Sequence, residues 1–137
     1  MVERKNINRG YKKLNVWNDS ISLYCKTCQL LKSKPFELKR ISSNAIDAAQ
    51  SISRNVAEGY CRRSIKEYLK HLYIALGSSG ELHSCFYSMF MAEQITEEEF
   101  DGIDVLHFKV ENELIQIVKS LERKEQENDC LNRMPDK

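Results

Sequence analysis

The sequence predicts an all-α protein, an antiparallel up-down-up-down four-helix bundle, on three observations. Apolar residues recur every three or four positions through four long stretches. The two prolines and five glycines sit mostly at the edges of those stretches. Ser64 and Thr96 each stand three residues before a glutamate at the opening of a stretch, the signature of a capping box. No strand pattern competes, and the chain carries no internal repeat or low-complexity segment.

The first helix runs from about Leu14 to Ser33, with Trp17, Ile21, Tyr24, Cys28 and Leu31 on one stripe. Pro35 ends it, because a proline pushes the residue before it out of helical geometry. A second helix, about Phe36 to Glu58, aligns Leu38, Ile41, Ala45, Ala48, Ile52 and Val56; Gly59 stands where a left-handed cap is wanted. Ser64 with Glu67 opens the third helix, about Ile65 to Ala92. Its stripe is Tyr68, Leu69, Leu72, Ala75, Leu76, Ser79, Leu82, His83, Phe86 and Phe90. Thr96 with Glu99 opens the fourth, which reaches about Lys124. Glu97, Glu98 and Glu99 load its positive end with acid, as the helix dipole favours. Its inner face is Phe100, Ile103, Leu106, Val110, Leu114, Ile117 and Leu121.

At 137 residues this is one domain, a bundle over residues 11–124 between flexible termini at 1–10 and 125–137. Formal net charge is +1, but residues 1–40 hold ten bases and three acids, whereas residues 93–124 hold four bases and nine acids. Such a gradient pairs ends within a fold or between subunits, and is a weaker nucleic-acid signal than a uniformly basic domain. The opening residues lack the form of a signal peptide, and no apolar run nears the roughly 20 residues of a membrane span. Five cysteines, an odd number with scattered spacing, read as reduced thiols, and the expected location is cytoplasmic.

One stretch stands apart, "SISRNVAEGYCRRS" at 51–64. It sets Arg54, Asn55 and Glu58 at the end of a helix that buries its other face. A buried polar group without a partner costs about 1–3 kcal/mol, so inward-facing Asn55 and Glu58 need partners. Ser51, Asn55 and Glu58 are therefore read as bonding between helices or between subunits, with Glu58 placed to pair with Arg54 one turn back. Arg63, Lys66 and Lys70 share one helical face, Arg62 and Arg63 occupy the turn, and Arg54 lies nearby in sequence. These five are candidate nucleic-acid contacts, against the alternative of ordinary solvated surface. With only Tyr60 and Tyr68 close by for base stacking, such binding would be weakly sequence-specific.

The segment "GSSGE" at 77–81 puts Gly77 and Gly80 inside a helix, each costing about 1 kcal/mol relative to alanine. Close approach by another backbone would offset that, so Gly77, Gly80 and Glu81 are assigned to a helix or subunit interface. Cys25-x-x-Cys28 lies mid-helix with no second pair, and His71, His83 and His107 lack ligand spacing. His83 is placed on the core face as a hydrogen-bonded histidine. No metal, no cofactor and no small-molecule substrate is expected, and no catalytic constellation stands out.

Three features together resemble a known family: "YKKLNVW" at 11–17, "SISRNVAEGYCRRSIKEYLKHLYIALGSSGEL" at 51–82, and the four-helix spacing. These resemble the bacterial four-helix bundle proteins often encoded within intervening sequences of large-subunit ribosomal RNA genes. That family is similar in turn to the accessory variability proteins of diversity-generating retroelements. The resemblance covers about Tyr11 to Lys124 and implies a homopentamer around a central channel, without enzymatic activity. In the retroelement relatives the barrel is strongly basic, binds RNA and DNA, and docks on a reverse transcriptase; this chain departs from them in being nearly neutral. Five copies would still gather about 25 positive charges at one end of a ring, contacting phosphates additively with a steep salt dependence. The resemblance thus implies a pentameric scaffold for nucleic acid or a nucleic-acid enzyme; the alternative is a protein-interaction module that binds no nucleic acid.

Overall fold

In a computed structural model, which describes residues 1–133, the chain is all-helical. Four α-helices follow in order: α1 (Asn15–Leu31), α2 (Lys39–Cys61), α3 (Ile65–Met91) and α4 (Glu97–Arg133). Short 3-10 helices, Ile7–Lys13 and Phe36–Leu38, precede α1 and α2. Each α-helix packs on two others: α1 on α2 and α4, and α3 on α2 and α4. Among the described residues the diagonal pairs do not pack, so the four helices enclose one core. Its centre is filled by Leu23, Ile52, Val56, Leu72, Leu82, Phe86, Met89, Val110 and Leu114.

The stripes on α2, α3 and α4 fall near their expected positions, while that of α1 is rotated. Its buried residues are Val16, Ser20, Leu23, Thr27 and Leu31, and Trp17, Ile21, Tyr24 and Cys28 flank them half-buried. Two hydroxyls can occupy a core centre because each finds an acceptor one turn back. Ser20 Oγ donates to the Val16 carbonyl at 2.6 Å, and Thr27 Oγ1 to that of Leu23 at 2.8 Å. A periodicity count that scores only apolar residues therefore misses the axis of this stripe. On α3, His83 is exposed, correcting its assignment to the core; the buried histidines are His71 and His107.

The helix ends differ from expectation in instructive ways. Gly59 is helical and takes no left-handed cap; α2 continues to Cys61 and the left-handed residue is Arg63, with φ 61°. Gly59 is needed for space instead: a Cβ there would lie 2.9 Å from His71 Cβ and 3.0 Å from the Tyr68 ring. Glu93, with φ 59°, makes the matching turn after α3. Ser64 accepts from Glu67 N at 3.3 Å to cap α3. The Thr96–Glu99 box is reciprocal: Thr96 N donates to Glu99 Oε1 at 2.9 Å and Glu99 N to Thr96 Oγ1 at 3.0 Å. The Thr96 N–H holds the Glu99 carboxyl below its usual range, with Lys34 assisting at 3.5 Å.

Both termini carry more regular structure than expected. Asn6 caps the 3-10 helix Ile7–Lys13 by accepting from Arg9 N at 3.1 Å. The α4 helix runs on to Arg133, because residues 125–133 hold neither glycine nor proline to stop it. The remainder of the expected tail, 134–137, lies outside the described residues.

Candidate interaction surface and the polar network beneath it

The stretch 51–64 divides into a buried row and an exposed row. Ser51, Ser53, Asn55 and Gly59 are buried, whereas Arg54, Glu58, Arg62 and Arg63 are exposed. The buried row bonds across the α2–α3 seam. Ser51 Oγ and Ser78 Oγ lie 2.7 Å apart. Asn55 Nδ2 donates to the Ser51 carbonyl at 2.9 Å, which leaves Asn55 Oδ1 to accept from His71 Nδ1 at 3.1 Å. That bond fixes the proton of His71 on Nδ1 and turns Nε2 outward, 3.9 Å from Glu58 Oε1. Glu58 in turn accepts from Arg62 Nη2 at 3.0 Å. It pairs one turn forward with Arg62 and not one turn back with Arg54, whose guanidinium donates to Gln50 Oε1 at 2.8 Å. The Arg62 hydrogen bond, with His71 as the second cause, holds the Glu58 carboxyl below its ordinary value. Asn55 and Ser51 thus find partners within the chain: hydrogen bonds link Ser78, Ser51, Asn55 and His71, and His71 faces the Glu58–Arg62 pair at 3.9 Å.

His71 and Tyr68 were absent from the candidate set, although they face Gly59 across the seam. Tyr60 meets Tyr68 edge-on at 6.2 Å, and burial pushes the Tyr68 phenol up to about 12. The signal that could have found them is the spacing Asn55–Gly59 on one helix against His71–Tyr68 on the next. That match requires knowing how the two helices meet.

Of the five candidate bases, Arg62 and Arg63 form the turn and Lys66 and Lys70 stand exposed on the first turns of α3. Lys66 and Lys70 line an open groove with Tyr73 and Glu125. Arg63 is committed to the fold: its Nη2 donates to the Ile7 carbonyl at 3.0 Å and pins the N-terminal segment to the turn. Cys61 Sγ donates to the Asn8 carbonyl at 3.1 Å beside it. The bases of that segment, Arg4, Lys5, Arg9, Lys12 and Lys13, thereby join the same end of the molecule.

Gly77 and Gly80 are exposed, and a Cβ at either would meet nothing within 4 Å. The close crossing of α3 within the chain is made by the serines between them, Ser78 on Ser51 and Ser79 on α4, and Glu81 faces solvent. Large apolar side chains are exposed here too: Tyr73, Tyr87 and Met91 on the same face of α3 as the two glycines, Ile74 about a quarter-turn away, and Val105 and Phe108 on α4.

Two polar clusters arise that spacing alone did not show. Ser79, His107 and Glu111 meet between α3 and α4, an outward likeness to a hydrolase triad. Its hydrogen bonding is the wrong way round. His107 Nε2 lies 3.0 Å from the Ser79 carbonyl, which can only accept, so Nε2 carries the proton. Ser79 Oγ donates to Glu111 Oε2 at 3.2 Å. An imidazole nitrogen that is already protonated cannot deprotonate the serine, and burial lowers the tendency of His107 to take a second proton. Between α1 and α4, Asp19 and Glu113 face each other beside Lys109, whose Nζ is 3.3 Å from Asp19 Oδ2. Both Asp19 Oδ2 and Glu113 Oε1 are buried; the first has the Lys109 ion pair but no well-aligned hydrogen bond, and the second has no partner. Two neighbouring carboxylates repel when both are charged, which favours a proton on Glu113, the one without a cation at its buried oxygen. Burial first, then Asp19, raises the Glu113 carboxyl to about 7.

Among the described residues, no three His, Cys, Asp or Glu side chains gather to hold a metal, and no helix is long and apolar enough to cross a membrane. Compared with known families, residues 12–121 match the model described as 23S rRNA-intervening sequence protein. No curated protein matches the chain.

Proposed function

The chain belongs to the 23S rRNA-intervening sequence protein family, and on that footing we propose that it is a non-enzymatic, homo-oligomeric scaffold that binds nucleic acid or a nucleic-acid enzyme. One observation carries the reading: exposed apolar side chains of α3 and α4 and a basic end, which meet at Tyr73, belong to the same folded unit. Tyr73, Tyr87 and Met91 beside the open Gly77 and Gly80, with Val105 and Phe108 across the seam, form a surface suited to a second copy. Lys66, Lys70 and the exposed N-terminal bases remain available to meet phosphate. A pentameric ring, as the family resemblance implies, would multiply weak single contacts through avidity, and a reverse transcriptase is the candidate enzyme partner. The protomer we infer is the antiparallel up-down-up-down bundle. Cross-helix pairs support it by running in opposite directions, as in Ser51–Ser78 with Asn55–His71, and Lys34–Glu99 with Asp19–Lys109. A cytoplasmic site of action belongs to the same reading.

The test is binding of a labelled RNA or DNA strand as salt is raised. Arg62 and Arg63 are held by Glu58 and Ile7, so Lys66→Ala with Lys70→Ala is the cleaner change. It should weaken binding for every sequence alike and flatten the salt dependence by about two phosphate contacts, at unchanged native mass. Binding that is absent at low salt, or indifferent to salt, would favour the protein-interaction module.

A further inference from the structure

The N-terminal segment and Tyr60 line a half-open cavity of about 400 Å³ whose basic side chains are exposed. Arg4, Lys5, Arg9, Lys12 and Lys13 line it, with Glu3 the single acid among its lining residues. Lys12 takes Glu3 at 3.6 Å, and Arg9 donates to the Arg4 carbonyl at 3.2 Å. Arg4, Lys5 and Lys13 have no ion-pair partner among the described residues. The backbone that carries these charges is tied down at several points. Asn6 caps it, Arg63 and Cys61 bond Ile7 and Asn8, and Asn18 Nδ2 donates to the Lys12 carbonyl at 2.8 Å. Gly10 lets the wall close: a Cβ there would overlap the Tyr60 hydroxyl, so the ring presses on bare backbone.

Five cations crowded on one short ordered segment repel one another, and a bound counter-charge relieves that repulsion. Multiple N–H donors around one space match a phosphate, whose oxygens accept several charge-assisted bonds at once. The space exceeds what a bare phosphate needs and falls in the range of small-ligand sites. An aromatic ring in a wall of cations suits a base attached to that phosphate.

We propose that this cavity binds a nucleoside 5′-phosphate, either free or as the end of a strand. As the end of a strand it extends the nucleic-acid reading above and rests on it; as a free nucleotide it stands alone. The probes are a labelled single-stranded RNA with a 5′-phosphate, the same strand with a 5′-hydroxyl, and adenosine 5′-monophosphate by calorimetry. The 5′-phosphate strand should bind about tenfold tighter than the 5′-hydroxyl strand, as one or two charge-assisted bonds to a phosphate would give. Lys5→Gln with Lys13→Gln should abolish that ratio, with helicity and native mass unchanged. Gly10→Ala, which alters no charge but displaces Tyr60, should reduce it as well. Lys66→Ala with Lys70→Ala should weaken both strands equally and leave the ratio intact. Saturable binding of the mononucleotide, lost in the Lys5–Lys13 variant, would identify the free nucleotide as a source. Equal binding of the two strands together with no mononucleotide binding would overturn the proposal and leave the wider nucleic-acid reading standing. Mononucleotide binding without binding of either strand would support the cavity and overturn the wider reading.

Discussion

At the scale of single residues, the stability of this molecule should carry a signature of Glu113. Its carboxyl titrates near 7 in the fold, above the ordinary carboxylate range it has in the unfolded chain. The fold therefore binds that proton more tightly than the unfolded chain does. Where the unfolded chain has released it and the fold has not, from about 4.5 up to about 7, stability falls as pH rises. Glu99 has the opposite sign: its depressed carboxyl supports the fold above the unfolded value and that support is lost in acid. Glu113→Gln keeps a donor beside Asp19 without adding a charge. It should raise the melting temperature at pH 7.5 and change it little at pH 5, thus flattening the decline between them. Thermal melts of both proteins across that range test this, and parallel curves for the two would refute it. Both residues belong to helix–helix seams rather than to the basic end, so the change should leave strand binding unaltered.

At the scale of elements, the α2–α3 seam depends on a missing side chain. Gly59 brings α2 close enough to α3 for Asn55 to reach His71, and the hydrogen-bonded row from Ser78 to His71 follows from that distance. Gly59→Ala has two opposed effects. Alanine is the better helix former by about 1 kcal/mol. Its methyl would meet His71 Cβ at 2.9 Å and the Tyr68 carbonyl at 3.3 Å, contacts a rigid seam cannot relieve cheaply. Forced packing of this kind costs about 1–3 kcal/mol, so net destabilisation of about 1 kcal/mol is expected in denaturant titration. A more stable variant would show that the seam opens easily. The same element shows what a sequence can reveal. Four long apolar repeats and two capping boxes placed α2, α3 and α4 well, because burial and end-capping are local demands. Gly59 was open to two uses, a left-handed turn or a close approach, and only the neighbouring helix distinguishes them. The axis of α1 was hidden for a similar reason: Ser20 and Thr27 are core residues only because their own helix satisfies them. Of the candidate site, the polar character of residues 51–64 was legible. The partners His71 and Tyr68, and the basic N-terminal segment folded against the turn, were not, since each depends on contacts between distant positions.

At the scale of the whole molecule, the question is what covers the open side of α3 and α4. Val105 and Phe108 are 77% and 61% exposed and Met91 is 62% exposed, while Gly77 and Gly80 between Tyr73 and Tyr87 leave room for another backbone. Scattered apolar residues on a surface need no explanation, but here Tyr73, Tyr87 and Met91 repeat along one face of α3, and Val105 and Phe108 stand one turn apart on α4. Val105→Lys with Phe108→Lys separates the cases. In an isolated protomer both side chains already face water, so the exchange should alter stability by less than about 0.5 kcal/mol per site. In an assembly that buries them, each of several equivalent contacts would lose about 1.5–3 kcal/mol per side chain and gain an unpaired charge. The native mass should then fall from a multiple of 16.0 kDa to the single chain, with helicity kept. If a ring concentrates the basic ends, nucleic-acid affinity should fall with it despite the two added lysines. An unchanged multimer would move the interface to another face. A wild-type protein that runs as a single chain would confine the basic end to what one copy can hold: a few phosphates, screened at physiological salt.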